Sequence, residues 1–127
     1  MTCFSILKNR ADFVAAARGV KAVKPSLILQ ARHRRDGSDV CRVGFTCSKK
    51  VGGAVTRNRA KRRLRAVAGS VITTLGQPGW DYVLIGRADG TINRSFADLE
   101  DDLRLAIAAC HQRGAQHLSD PQASDRQ

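Results

Sequence analysis

A chain of 127 residues with 43% hydrophobic content suits one domain with its own core, and its formal charge of +11 calls for a polyanionic partner. No apolar run is long enough to span a bilayer, and MTCFSILKNR lacks the apolar core of a signal peptide, so a cytoplasmic protein without membrane association is expected. Cys3, Cys41, Cys47 and Cys110 are scattered without metal-ligand spacing, which predicts reduced thiols, at least two of them in the core, and neither a disulfide framework nor a zinc site.

Residues 4–8 read as extended. Asn9 offers a helix N-cap with Asp12 three residues on, followed by Phe13, Val14 and Ala17 on one face and Gly19 as a stop. Residues 26–32 alternate: Leu27, Leu29 and Ala31 point one way, and Ile28, Gln30 and Arg32 the other, as in a half-buried strand. The turn HRRDGSD carries the hairpin signal Asp36-Gly37, which predicts a second strand over residues 40–48 antiparallel to the first. Each strand keeps polar residues on one face (Gln30, Arg32; Thr46, Ser48), a candidate groove floor.

The stretch GFTCSKKVGGAVTRNRAKRRLR, residues 44–65, runs from the second strand through a cationic loop into a helix. Ala60, Leu64, Val67, Ala68, Val71, Ile72 and Leu75 share one helical stripe, the predicted core face. Arg59 and Arg62 then project outward, with Arg63 and Arg65 on the two flanks. Six cations crowd residues 57–65 at the front of this helix, where the macrodipole disfavours them. Nine Lys and Arg, and no acid, lie between Asp39 and Asp81. A merely solvated face mixes its signs, so this surface is read as a nucleic-acid contact.

The helix breaks at Gln77-Pro78-Gly79, and DYVLIGR has the continuous apolar character of a buried central strand. Ala88-Asp89-Gly90 turns the chain. Ser95 then caps a last helix with Asp98 at the capping-box position and Leu99, Leu103, Ala106, Ile107 and Cys110 as its stripe. Hydrophobes thin out afterwards, which places a domain over residues 1–111 and a flexible tail over 112–127. The predicted order is αββαβα, a single-domain α+β sandwich of a small sheet carrying helices.

Catalytic chemistry is not visible. Asp12, Asp36, Asp39, Asp81 and Asp89 sit at turns, caps or element ends, and the acids at 98–102 suit a helix start. His33, His111 and His117 have no evident partner acid, and Gly52-Gly53 lacks the Walker frame. On the residues alone three readings stand: a subunit of an RNA-based enzyme, a structural RNA-binding protein of ribosomal type, and a protein-only nuclease.

At these residues the chain resembles the protein subunit of bacterial ribonuclease P. The likeness rests on Val43-Gly44-Phe45, Ser48-Lys49-Lys50-Val51-Gly52, Ala54-Val55 and Arg57-Asn58-Arg59 continuing into Lys61-Arg62-Arg63-Leu64-Arg65. Weaker matches at Arg10-Ala11-Asp12-Phe13 and across DYVLIGR extend it over residues 7–107. The resemblance implies a non-catalytic protein beside a catalytic RNA that removes the 5′ leader of precursor tRNA with Mg2+, together with a left-handed βαβ crossover around the basic helix. It assigns RNA binding to Arg57, Asn58, Arg59, Lys61, Arg62 and Arg65, to which the cationic arc adds Arg63. The resemblance also implies a leader groove of Phe13, Ala17, Gln30 and Thr46, with Lys49 and Lys50, likewise expected to bind RNA, beside it. Some members carry aromatics where this chain has Ala17 and Gln30, so leader contacts here are expected to be less aromatic. The expected partners are that RNA and precursor tRNA, with no metal held by the protein and no obligate protein partner.

Overall fold

Side chains of both parities in β5 (Trp80–Gly86) need burial, which only an interior strand provides. The computed structural model describes residues 4–119, with side chains as far as residue 114. In it β5 is the middle strand of a five-stranded sheet. With β1 (Phe4–Ile6), β2 (Val20–Val23), β3 (Leu27–His33) and β4 (Cys41–Cys47), the order is β1-β4-β5-β3-β2. β5 pairs parallel with β4 through Phe45↔Leu84 and antiparallel with β3 through Leu29↔Leu84. The helices are α1 (Arg10–Ala17), α2 (Ala54–Leu75), α3 (Gly90–Asn93) and α4 (Phe96–Ser119).

The expected hairpin between β3 and β4 is therefore corrected: β5 lies between them. The turn after β3 carries the chain across the end of β5 and is tied down there by Arg34. That side chain donates to Trp80 O at 3.1 Å and Asp81 Oδ1 at 2.6 Å, and also to Val40 O. Burying a mostly apolar strand on both faces, with its one carboxylate Asp81 paired to arginines, outweighs the local turn signal. Two further elements escaped the sequence pattern: β2, only four residues long, and the single turn α3.

Alternation assigns the faces. Leu27, Leu29, Val43, Tyr82 and Leu84 point to one side and pack against Leu64, Val67, Val71 and Ile72 of α2 and Leu99, Leu103 and Ile107 of α4. The predicted stripes hold, except that Leu75 is 39% exposed at the end of α2. The opposite face is covered in its middle by α1 and Leu7, whose cluster contains Ala16 and Val83. Here the expected face of α1 turns: Ala16 is buried, whereas Val14 and Ala17 are exposed. Phe13 and Ala16, three apart, are the pair that meets the sheet.

α4 starts as predicted, with Asp98 N–H donating to Ser95 Oγ at 3.1 Å. Within its acidic start, Asp102 is buried: it accepts from Ser26 Oγ at 2.6 Å and pairs with Arg94 Nε at 3.0 Å, which fastens α4 to the start of β3. The helix runs to Ser119, beyond the predicted domain end at residue 111. Small size replaces hydrophobicity in this extension. A Cβ on Gly114 would come within 2.3 Å of the Trp80 ring, so glycine lets the helix rest on that ring. The remainder of the predicted tail, residues 120–127, lies outside the described residues, as does Cys3.

Burial pushes the thiols of Cys41 and Cys110 up to about 11, which leaves both as inert core groups. His111 sits between Trp80 and Tyr82, with its Nε2 at 2.5 Å from Tyr82 Oη, and burial lowers its pKa. The folded state thus disfavours the proton that the unfolded chain accepts near pH 6.5. Stability is expected to be flat above that pH and to fall as pH drops below it. Thermal melts between pH 7.5 and 5.5 check this: wild type should lose stability over the interval, and His111→Gln should lose distinctly less.

Candidate nucleic-acid interface

α2 has Gly53 as its N-cap, with no side-chain cap, so the first-turn N–H groups keep their partial positive charge unopposed by a capping oxygen. Before it, Ser48 Oγ accepts from Lys50 N–H at 3.3 Å and holds a 3-10 turn on which Lys49 and Lys50 are exposed.

On the helix, Asn58, Arg59, Arg62 and Arg65 are exposed, and Arg57 and Lys61 are half-buried. Arg65 stacks over the Phe45 ring at 5.8 Å, which orients its guanidinium along the β4 flank. Arg57 and Lys61 stand close enough to Cys47 for their charges to favour its thiolate, although burial prevails and raises that pKa. Their position marks the end of β4 as part of the same cationic surface. Arg63 differs. Its Nε donates to Thr91 O at 2.8 Å and its Nη2 to Arg94 O, so it braces α2 against α3 and belongs to the fold before it belongs to any interface. The flanking position was readable from periodicity; the carbonyls waiting there were not, because α3 has no sequence signature of its own.

Among the described residues no acid lies within 4.0 Å of Lys49, Lys50, Arg57, Arg59, Lys61, Arg62 or Arg65. The acids are engaged elsewhere. Asp12, Asp36, Asp81 and Asp102 each lie within 3.3 Å of an arginine outside this surface. Positive charge is thereby gathered at the front of α2 and left without an internal counter-ion.

The groove residues gather on the sheet face that carries α1. Register aligns Gly44, Val83 and Gln30 in one row across this face and Thr46, Ile85 and Ile28 in the next. Phe13 lies against Gly44, where a Cβ would come within 2.6 Å of its ring; glycine is what lets α1 seat so close to the sheet. Gln30 and Thr46 are half-buried beside it, and Ala17 is exposed one turn further along α1. Ile28 and Ile85, both half-buried, complete the floor. Sequence reading passed over them because alternation alone cannot show that α1 leaves this row partly uncovered.

A family model described as Ribonuclease P matches residues 1–111. Among curated proteins, the ribonuclease P protein component of Ruegeria pomeroyi is 55% identical over 108 residues, covering 84% of this chain and 86% of that protein. Its counterpart in Gluconacetobacter diazotrophicus is 50% identical over 111 residues, covering 87% and 94%. The ribonuclease P protein of Thermotoga maritima shares the fold with a TM-score of 0.68 at 24% identity over 82% of this chain and 96% of that one. A ribonuclease P protein from Staphylococcus aureus, a mutant with defective mRNA degradation activity, gives 0.70 at 21% identity over 84% and 87%. With a family model spanning most of its length and close relatives covering more than four-fifths of it, the chain belongs to the ribonuclease P protein family.

Proposed function

We infer that the chain is the protein subunit of ribonuclease P and serves tRNA 5′ processing by binding RNA rather than by performing the cleavage. The observation that carries this is the front of α2: uncapped, densely cationic and without internal counter-ions, in a member of this family. In this reading Arg57, Asn58, Arg59, Lys61, Arg62 and Arg65 hold the catalytic RNA. Arg63 acts mainly by keeping α2 seated on α3. The groove of Phe13, Gln30, Thr46 and Ala17 takes the single-stranded leader of precursor tRNA, with Lys49 and Lys50 at its end. Backbone and apolar contacts there suit many leader sequences equally.

Magnesium belongs with the RNA in this scheme. The buried acids Asp81 and Asp102 are already paired with arginines, which supports placing the ion mainly on the RNA. The protein's cations lower the repulsion between two polyanions, so less Mg2+ is needed for screening. No helix among the described residues is long and apolar enough to cross a membrane, and we assign the protein to the cytoplasm with its RNA.

The test is to recover the tagged protein from its own cells at moderate salt and sequence the RNA that accompanies it. One dominant RNA of a few hundred nucleotides, which with the protein cleaves precursor tRNA at reduced Mg2+, is the expected result. Ribosomal RNA alone, with no gain in cleavage, would make the chain a structural RNA-binding protein. Cleavage by RNA-free protein, abolished by changing one carboxylate, would make it a nuclease.

A further inference from the structure

A cleft of about 490 Å3 opens between the end of α1, the ends of β2 and β3, and α4 near Arg113 and Gly114. It lies at the opposite pole from the front of α2. β5 runs from Trp80, in the cleft wall, to Gly86, paired with Cys47 where the chain turns towards α2; the two places are separated by the length of that strand, roughly 20 Å.

Four arginines ring the opening: Arg18, Arg32, Arg35 and Arg113. The side chains of Arg18, Arg32 and Arg35 make no hydrogen bond or ion pair among the described residues, and Arg113 donates to Lys21 O. Two acids of this region are already paired. Asp81 lies between Arg34 and Arg42, and Asp36 accepts from Arg34 Nε and Ser38 N–H. The turn that presents Arg35 is held under constraint: its φ is +58°, a left-handed conformation that non-glycine residues rarely adopt. Neighbouring side chains thereby part company, with Arg34 directed inward to Asp81 and Arg35 lining the cleft. Beneath them, His33 Nδ1 accepts from Arg35 N–H at 3.2 Å, which leaves Nε2 as the donor of the neutral ring. The His33 ring stands edge-on to Trp80 at 5.5 Å.

Guanidinium groups without counter-ions, converging on a concave opening with a histidine donor and an aromatic wall, match the backbone of a nucleic-acid strand. We propose that this cleft is a second RNA site, which takes phosphodiester groups of a single-stranded segment, so that one chain grips RNA at both poles. The proposal rests on the reading of the chain as an RNA-binding subunit and adds a surface that the cationic helix does not include.

Trp80 is the single tryptophan of the chain, so its emission reports on the cleft. The full chain is titrated with a ten-nucleotide uridine RNA, with uridine 5′-monophosphate in parallel. Expected is a saturable change in Trp80 emission on adding the decamer. The double variant Arg18→Ala/Arg35→Ala, at two exposed positions, should weaken it about tenfold or more, whereas Arg104→Ala, at an exposed arginine of α4 outside both cationic surfaces, leaves it within about twofold. No emission change, or one that survives loss of Arg18 and Arg35, overturns the site. Equal affinity for the mononucleotide overturns the strand reading in favour of a nucleotide pocket. None of these outcomes bears on the proposed function, which is read from RNA recovery and precursor tRNA cleavage.

Discussion

Asp81→Ala is expected to cost about 3 to 5 kcal/mol of unfolding free energy, read as a large drop in the urea midpoint. Asp81 is fully buried and serves two cations. Arg42 grips it in a fork, Nε at 2.8 Å and Nη2 at 2.7 Å, and Arg34 Nη1 reaches it at 2.6 Å from a side chain only 4% exposed. Alanine would leave the buried Arg34 with only Asp36, a half-exposed carboxylate 3.0 Å from its Nε, as an anion at the point where the chain crosses from β3 to β4. Arg42, 27% exposed and also 3.3 Å from Asp12, can turn partly to water, so most of the penalty falls on Arg34. Against a total stability of about 5 to 15 kcal/mol, this removes a large share of what holds the domain folded. Asp81→Asn, which keeps an acceptor oxygen, should fall between wild type and alanine. A loss below about 1 kcal/mol for alanine would show that the arginines find other partners and that the carboxylate is not the anchor of this end of the sheet.

The double variant Arg59→Ala/Arg62→Ala is expected to bind the catalytic RNA roughly 15- to 30-fold more weakly at 0.15 M salt, with an unchanged melting curve. Both side chains are exposed and make no contact that the fold uses. Each lost phosphate contact lowers the slope of log K against log salt by about 0.7 to 0.9, and two contacts raised from 1 M to 0.15 M salt give the stated factor. Arg63→Ala provides the contrast. Its donors are spent on Thr91 and Arg94 carbonyls, so its first symptom should be lower stability. If the Arg59/Arg62 variant kept both affinity and salt slope, α2 would not be the main RNA contact.

Those opposite expectations for neighbouring arginines show where sequence reading stops. Period 3.6 placed Leu64, Val67, Ala68, Val71 and Ile72 in the core and Arg59 and Arg62 outside, because burial in a long helix follows its own repeat. Period 2 likewise sorted Val43 and Phe45 from Gly44 and Thr46. What periodicity lacks is partner identity. Nothing in HRRDGSD says that β5 will slot between the flanking strands, nor that Arg34 turns inward while Arg35 faces a cleft. The groove was readable as a polar strand face, but the rotation of α1 that exposes Ala17 and buries Ala16 depends on the fit of Phe13 over Gly44. Eight residues of helix are too few for their own pattern to decide that rotation.

The position of β5 also sets the timetable of folding. Both of its partners, β3 and β4, are synthesised first, and each holds out an unpaired edge until residues 80–86 emerge and join them. The intervening α2, already carrying its cations, leaves the ribosome before the sheet that supports it can close. A nascent chain in this state pairs open strand edges with a strongly cationic helix beside ribosomal RNA. Completion of the central strand removes those edges and brings Tyr82 and Leu84 into the core on which α2 rests, and α4, still later in the chain, closes that core alongside it.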